Sequence, residues 1–134
     1  MLDGLLKVYY NSPTLTKQGN KIMSHLATTI LKQLTGSNNG TGLLKMMIGG
    51  KDFVYSEKEN FMAFKFANMS GVQYNYCKIT LNGLDLYNVE LSKYNWSKFK
   101  QIRSITIDNV EASQLKRVFE EKTGLAITVP RVIF

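Results

Sequence analysis

The chain has 134 residues, of which 44% are hydrophobic and 20% charged, the composition of one globular domain and not of a disordered segment. Its formal net charge of +7 excludes an acidic mimic of nucleic acid. One cysteine (Cys77) and one histidine (His25) exclude an internal disulfide, a cysteine-based zinc site and any multi-histidine metal site.

In chain order, residues 1–19 read as an irregular lead-in to a single domain with its core over 20–129, because Asn11-Ser12-Pro13 and Gly19-Asn20 break any helix. Met1–Tyr10 holds a short apolar patch interrupted by Asp3 and no small-residue cleavage site, unlike a secretory signal. No apolar run approaches the roughly 18 residues that a membrane helix needs, so the expectation is a soluble, cytoplasmic protein. A helix is expected from Ile22, with Ile22, Met23, Leu26, Ala27, Ile30, Leu31 and Leu34 on one stripe. Asn20 suits its N-cap and Gly36 its C-terminal stop. Ser37-Asn38-Asn39-Gly40 is a loop on composition. Leu43–Ile48 predicts one or two helical turns that end at Gly49-Gly50.

The period then changes to two. Asp52–Tyr55, a polar turn over Ser56–Asn60, and Phe61–Ala67 predict a hairpin, with Met62, Phe64 and Phe66 on one face. Asn82-Gly83 carries the signature of a two-residue hairpin turn of type I′. Such a turn sets Leu81 opposite Leu84, Thr80 opposite Asp85, Ile79 opposite Leu86 and Lys78 opposite Tyr87. Cys77, Ile79, Leu81, Leu84 and Leu86 then share a core face, and a bulge near Tyr87-Asn88 would bring Tyr87, Val89 and Leu91 into phase. Ser92–Lys100 breaks the strand pattern, and Gln101–Ile107 predicts a further strand. Asp108-Asn109-Val110-Glu111 resembles a capping box that opens a last helix, buried through Val110, Leu115, Val118 and Phe119 and stopped at Gly124. Ala126–Val129 suits a final short strand. The fold class expected is α+β: an antiparallel sheet of four or five strands, with two N-terminal helical segments and one C-terminal helix packed on it.

Several blocks resemble a family of small proteins common in phages and other mobile elements. They are Ile30-Leu31-Lys32-Gln33-Leu34, Gly49-Gly50-Lys51-Asp52-Phe53, Ala63-Phe64-Lys65-Phe66 and Lys78-Ile79-Thr80-Leu81-Asn82-Gly83, followed by Leu86-Tyr87-Asn88-Val89-Glu90 and Phe119-Glu120-Glu121-Lys122-Thr123-Gly124-Leu125. The resemblance runs from about Met23 to Leu125 and implies a phage or mobile-element accessory protein without a catalytic motif. Met1–Ile22 and Ala126–Phe134 depart from it. Gln18-Gly19 could be encoded by a purine-rich ribosome site just upstream of Met23, which makes Met23 an alternative start and the first 22 residues dispensable.

Catalytic and ligand-binding motifs are sparse. His25 has no second histidine, cysteine or carboxylate three or four residues away, so it reads as a surface histidine. Cys77 falls on a core face, where a thiol is a small buried hydrophobe. Gly40-Thr41-Gly42 and Gly49-Gly50-Lys51 are similar to phosphate-cradling loops but lack the spacing and the strand–loop–helix setting. Asp52, Asp85 and Glu90 could approach one another in the sheet, although ladder residues on a solvated face account for them.

The charge itself is uneven. Residues 93–103 carry Lys93, Lys98, Lys100 and Arg103 with no acid, more than half of the net excess. Tyr94, Trp96 and Phe99 interleave with them, a mixture that binds phosphates and stacks bases and that also anchors protein interfaces. Lys93, Tyr94, Trp96, Lys98, Phe99, Lys100 and Arg103 are therefore the candidate binding residues, with no metal and no cofactor. The function expected is that of a non-enzymatic accessory protein. It would bind and block a host nucleic-acid-handling machine, as a counter-defence protein of the anti-CRISPR kind does. The alternatives are a homo-oligomeric phage assembly protein and a sequence-nonspecific nucleic-acid binder. The partner expected is a host protein or nucleoprotein complex, or nucleic acid itself, with no membrane, and the protein is a monomer or small homo-oligomer.

Overall fold

Helices and strands follow the changes of hydrophobic period along the chain, in a computed structural model that describes residues 25–67 and 72–127. Helices α1 (His25–Thr35) and α2 (Gly40–Ile48) come first. Strands β1 (Lys51–Ser56), β2 (Phe61–Lys65), β3 (Tyr76–Leu81), β4 (Tyr87–Asn95) and β5 (Lys100–Val110) follow. A short 3₁₀ turn (Ala112–Gln114) then leads into α3 (Leu115–Thr123). The strands form one antiparallel sheet in the order of the chain, β1-β2-β3-β4-β5. This is the expected α+β class. The lead-in, the Asn20 cap, the start at Met23 and residues 128–134 lie outside the described residues; Ala126 and Ile127 are not in a strand.

All three helices contribute to one core. α1 buries Ala27, Ile30, Leu31 and Leu34 of the stripe read from the sequence, with Leu26 partly buried and Ile22 and Met23 outside the described residues; α2 adds Leu44 and Ile48, α3 Leu115 and Phe119. They meet Met62, Phe64 and Phe66 of the second hairpin strand and its extension, Cys77 and Ile79 of β3, and Val89 and Leu91 of β4. Phe53 stacks on Phe64 at 5.4 Å between ring centroids, and Phe119 meets Phe66 edge-on at 5.5 Å, geometries that aromatic quadrupoles favour. Gly36, Gly49 and Gly124 end the three helices in left-handed backbone, as the sequence predicts. Gly50 is a packing glycine: a Cβ there would lie 3.0 Å from Leu44 Cβ and 3.1 Å from Phe53 Cζ.

The other face of the sheet carries a second, smaller buried cluster. Val54, Phe61, Ala63, Tyr76 and Tyr94 form it, with Trp96 packed at its margin. Alternation along each strand sends neighbouring side chains to opposite faces, so both clusters come from the same strands.

Three expectations are corrected. The turn between β3 and β4 is a five-residue loop over 82–86, not a two-residue turn, and it moves the register by three: Leu81 pairs with Tyr87, Thr80 with Asn88, Ile79 with Val89 and Lys78 with Glu90. The cause is the Asn82 side chain, whose Oδ1 accepts from the N–H groups of Leu84 and Leu86 at 2.8 and 3.2 Å, so the turn closes on a side chain. Gly83 does not adopt positive φ, whereas Asp85 does (φ 61). Tyr87, Val89 and Leu91 therefore face the core with Cys77 and Ile79 without a bulge in this hairpin, and Leu84 is exposed. Second, Asp108–Val110 continue β5 and are not a capping box. Glu111 stands ahead of the 3₁₀ turn and makes no side-chain cap. Third, Ser92–Asn95 belong to β4, and only Trp96–Phe99 form the turn to β5.

The candidate binding arm

The basic–aromatic segment is the distal end of the β4–β5 hairpin. β3 begins at Tyr76, opposite Ser92, so residues 93–103 extend past it as an arm of two strands. Asn75 fixes the root of this arm. Its side chain accepts from the Tyr94 N–H at 2.9 Å and donates to the Tyr94 carbonyl at 3.0 Å, replacing a missing strand partner with one buried amide. Its backbone N–H also donates to the Ser92 carbonyl. Sequence reading missed Asn75, since in Val72–Tyr76 nothing sets it apart from a loop asparagine.

Register separates the candidate residues into three groups. Tyr94 and Trp96 lie on the face away from the helices. Their rings stand 4.6 Å apart, with Tyr76 edge-on to both at 5.3 and 5.9 Å. Lys65 Nζ sits 4.3 Å from the Trp96 ring centroid and also pairs with Asp52 at 3.2 Å. The indole is thus engaged within the protein, and Tyr94 is buried. Lys93 and Arg103 are opposite each other in register, on the parity of the helix-bearing face, where Arg103 donates to Gln73 Oε1. Lys98, Phe99 and Lys100 are at the tip, all exposed.

Electrostatics set the arm apart from the rest of the sheet. Elsewhere an acid is at hand: Lys78 faces Glu90 across β3 and β4, and where Lys51 opposes Lys65 across β1 and β2, Lys65 bridges to Asp52. In the arm a cation faces a cation, and residues 91–107 contain no acid. Like charges directly opposed are unfavourable in an antiparallel pair. Among the described residues no ion pair involves Lys93, Lys98, Lys100 or Arg103.

Tip geometry singles out one aromatic. The Asn95 side chain accepts from the Lys98 N–H at 3.3 Å, and the Phe99 N–H reaches the Trp96 carbonyl at 3.3 Å. That closes a tight turn whose last residue, Phe99, has φ 49. The other non-glycine residues with positive φ among those described are Asp52, Asn60, Asp85 and Asn109, the types that tolerate this region. Phe99 is the exception, and the residue is 47% exposed, near Ile102 at 56%. Ile102 is the extra residue of a bulge, since Lys93 pairs with Arg103 but Tyr94 with Gln101.

The structure keeps the remaining candidates apart from this arm. His25 is exposed at the start of α1. Cys77 is fully buried, and burial, with Glu90 nearby, pushes its thiol well above the ordinary range, the opposite of an activated nucleophile. Gly40-Thr41-Gly42 opens α2, where the Asn39 side chain already accepts from the Gly42 N–H and Gly40 is pressed against Leu31. Asp52 and Glu90 are on β1 and β4, with two strands between them, and Asp85 is in the β3–β4 loop. No group of three His, Cys, Asp or Glu side chains able to hold a metal occurs among the described residues. No described helix is long and apolar enough to cross a membrane. No protein-family model, curated protein or solved structure matches the chain.

Proposed function

We propose that this protein is a non-enzymatic accessory factor of the phage type that binds and blocks a nucleic-acid-handling complex of its host cell, with the β4–β5 arm as its contact surface. The observation that carries this reading is the acid-free arm, in which Lys93 and Arg103 oppose each other and Lys98 and Lys100 flank an exposed tip. Such a surface gains by meeting phosphates, whose neutralisation releases counterions. It blocks by occupancy and needs no active site. The resemblance of the Lys78–Gly83 and Phe119–Leu125 blocks to small mobile-element proteins supplies the biological setting, a counter-defence role in the host cytoplasm.

The test is affinity capture from a bacterial lysate by the full chain, with and without nuclease, beside the double variant Lys98→Glu, Lys100→Glu. Capture of a nucleic-acid-handling complex that the variant loses supports the proposal. Capture that survives the charge reversal overturns it.

A further inference from the structure

We infer that the arm recognises single-stranded nucleic acid, with Phe99 stacking on an unpaired base while Lys98, Lys100 and the Lys93–Arg103 pair hold the flanking phosphates. This inference rests on the arm being the contact surface and names its ligand class. Three observations converge on it.

The first is the position of Phe99. A left-handed residue ends the turn, and a side chain as large as phenylalanine is strained there. Strain of this kind persists where something other than the local fold requires the residue. Phe99 belongs to neither buried cluster, and nearly half of its surface faces solvent.

The second is the state of the other aromatics in the arm. Tyr94 and Trp96 pack against each other and meet Tyr76 edge-on, and Lys65 lies over the indole. They build the root of the arm, so the base-stacking role that the sequence suggests for Trp96 passes to Phe99. The third is chain order. Lys98-Phe99-Lys100 sets an apolar ring between two cations, and Ile102 and Arg103 continue the sequence of apolar and cationic groups. Binding without sequence preference to single strands uses this combination of a backbone-tracking positive surface and an aromatic platform. A duplex hides the faces of its bases and offers the ring nothing to stack on.

Fluorescence anisotropy with a labelled oligothymidylate and with a labelled duplex of equal length tests the idea on the full chain. The wild type should bind the single strand more tightly than the duplex, with a log–log salt slope of about −3 for four phosphates. Phe99→Ala should weaken single-strand binding by about 5- to 150-fold, the range that base–aromatic stacking gives, and so abolish the preference over duplex. Phe99→Tyr should restore it. An unchanged melting temperature in Phe99→Ala confirms that the fold is intact, as expected for an exposed ring. If Lys98→Glu with Lys100→Glu weakens both ligands and Phe99→Ala changes neither, the arm remains the contact surface and the stacking inference is overturned. If the wild type binds neither oligonucleotide, and Phe99→Ala instead abolishes capture of a nucleic-acid-free protein, the ligand class is wrong. Binding that ignores all three substitutions overturns both readings.

Discussion

The β1–β2 and β4–β5 turns are built alike and filled differently. Each has four residues, Glu57–Asn60 and Trp96–Phe99. In each, the side chain just before the turn, Ser56 Oγ or Asn95 Oδ1, accepts from the backbone N–H three residues on. In each, the last residue is left-handed, Asn60 at φ 59 and Phe99 at φ 49. The first turn places there a residue that the conformation suits and surrounds it with charges of both signs, Glu57, Lys58 and Glu59. The second places a strained, exposed ring among cations alone. Turn geometry is thus satisfied by asparagine and does not explain phenylalanine. The contrast separates a connection from the proposed contact surface within one sheet.

Four substitutions break or sharpen this contrast. The largest effect belongs to the platform both hairpins share: Ile30→Ala or Leu34→Ala should cost about 2–5 kcal/mol, because each is fully buried under the sheet. Chemical denaturation measures it, and a neutral result at both positions would mean that α1 is not a core helix. Next comes the bracket at the root of the arm. Asn75→Ala strips two partners from the Tyr94 backbone, a loss of about 1–3 kcal/mol for buried groups left unpaired. Amide exchange should quicken at Tyr94 and stay unchanged at Glu59, which confines the damage to one hairpin; equal quickening at both would show that the arm is not separately anchored. The reciprocal exchange of turn residues follows. Asn60→Phe should cost about 1 kcal/mol, and Phe99→Asn should return a similar amount, through the left-handed preference alone. Melting temperatures that move the same way in both variants would break the comparison. The smallest effect is expected at Gly83→Val, within about 0.5 kcal/mol for an exposed site free of special geometry, since a Cβ there meets nothing within 4 Å and φ is not positive.

That last expectation reverses what the sequence suggests for Asn82-Gly83, and the reversal shows where sequence reading stops. The helical stripe of α1, the stops at Gly36, Gly49 and Gly124, and the first hairpin were legible because each rests on local periodicity or on one residue's backbone preference. The β3–β4 register was not, because the Asn82 side chain closes a longer loop than the Asn-Gly pair implies, and a side-chain hydrogen bond leaves no periodic trace. The Asn82 amide also donates to Asn88 and Asn109 at 3.0 and 2.9 Å, a network joining residues 27 positions apart. The apparent capping box at Asp108–Glu111 lost to continued pairing with β4, a tertiary preference stronger than a local one. In the arm, the basic and aromatic residues were all visible in the sequence. Which aromatic faces outward was not, because that depends on β4 running unbroken through Ser92–Asn95, held by an asparagine 19 residues earlier.

The sheet's strand order, identical to the order of the chain, bears on how quickly the protein reaches its native state. The intervals between successive strands are 4, 10, 5 and 4 residues, so each pairing closes a short loop and the entropy lost at each closure is small. Such local pairing places a β-rich protein toward the fast end of its class. The last interval belongs to the arm, whose two strands can zip from their own turn once Asn75 provides an edge. A strained phenylalanine at that turn slows only the step it occupies, and the meander behind it is free to form first.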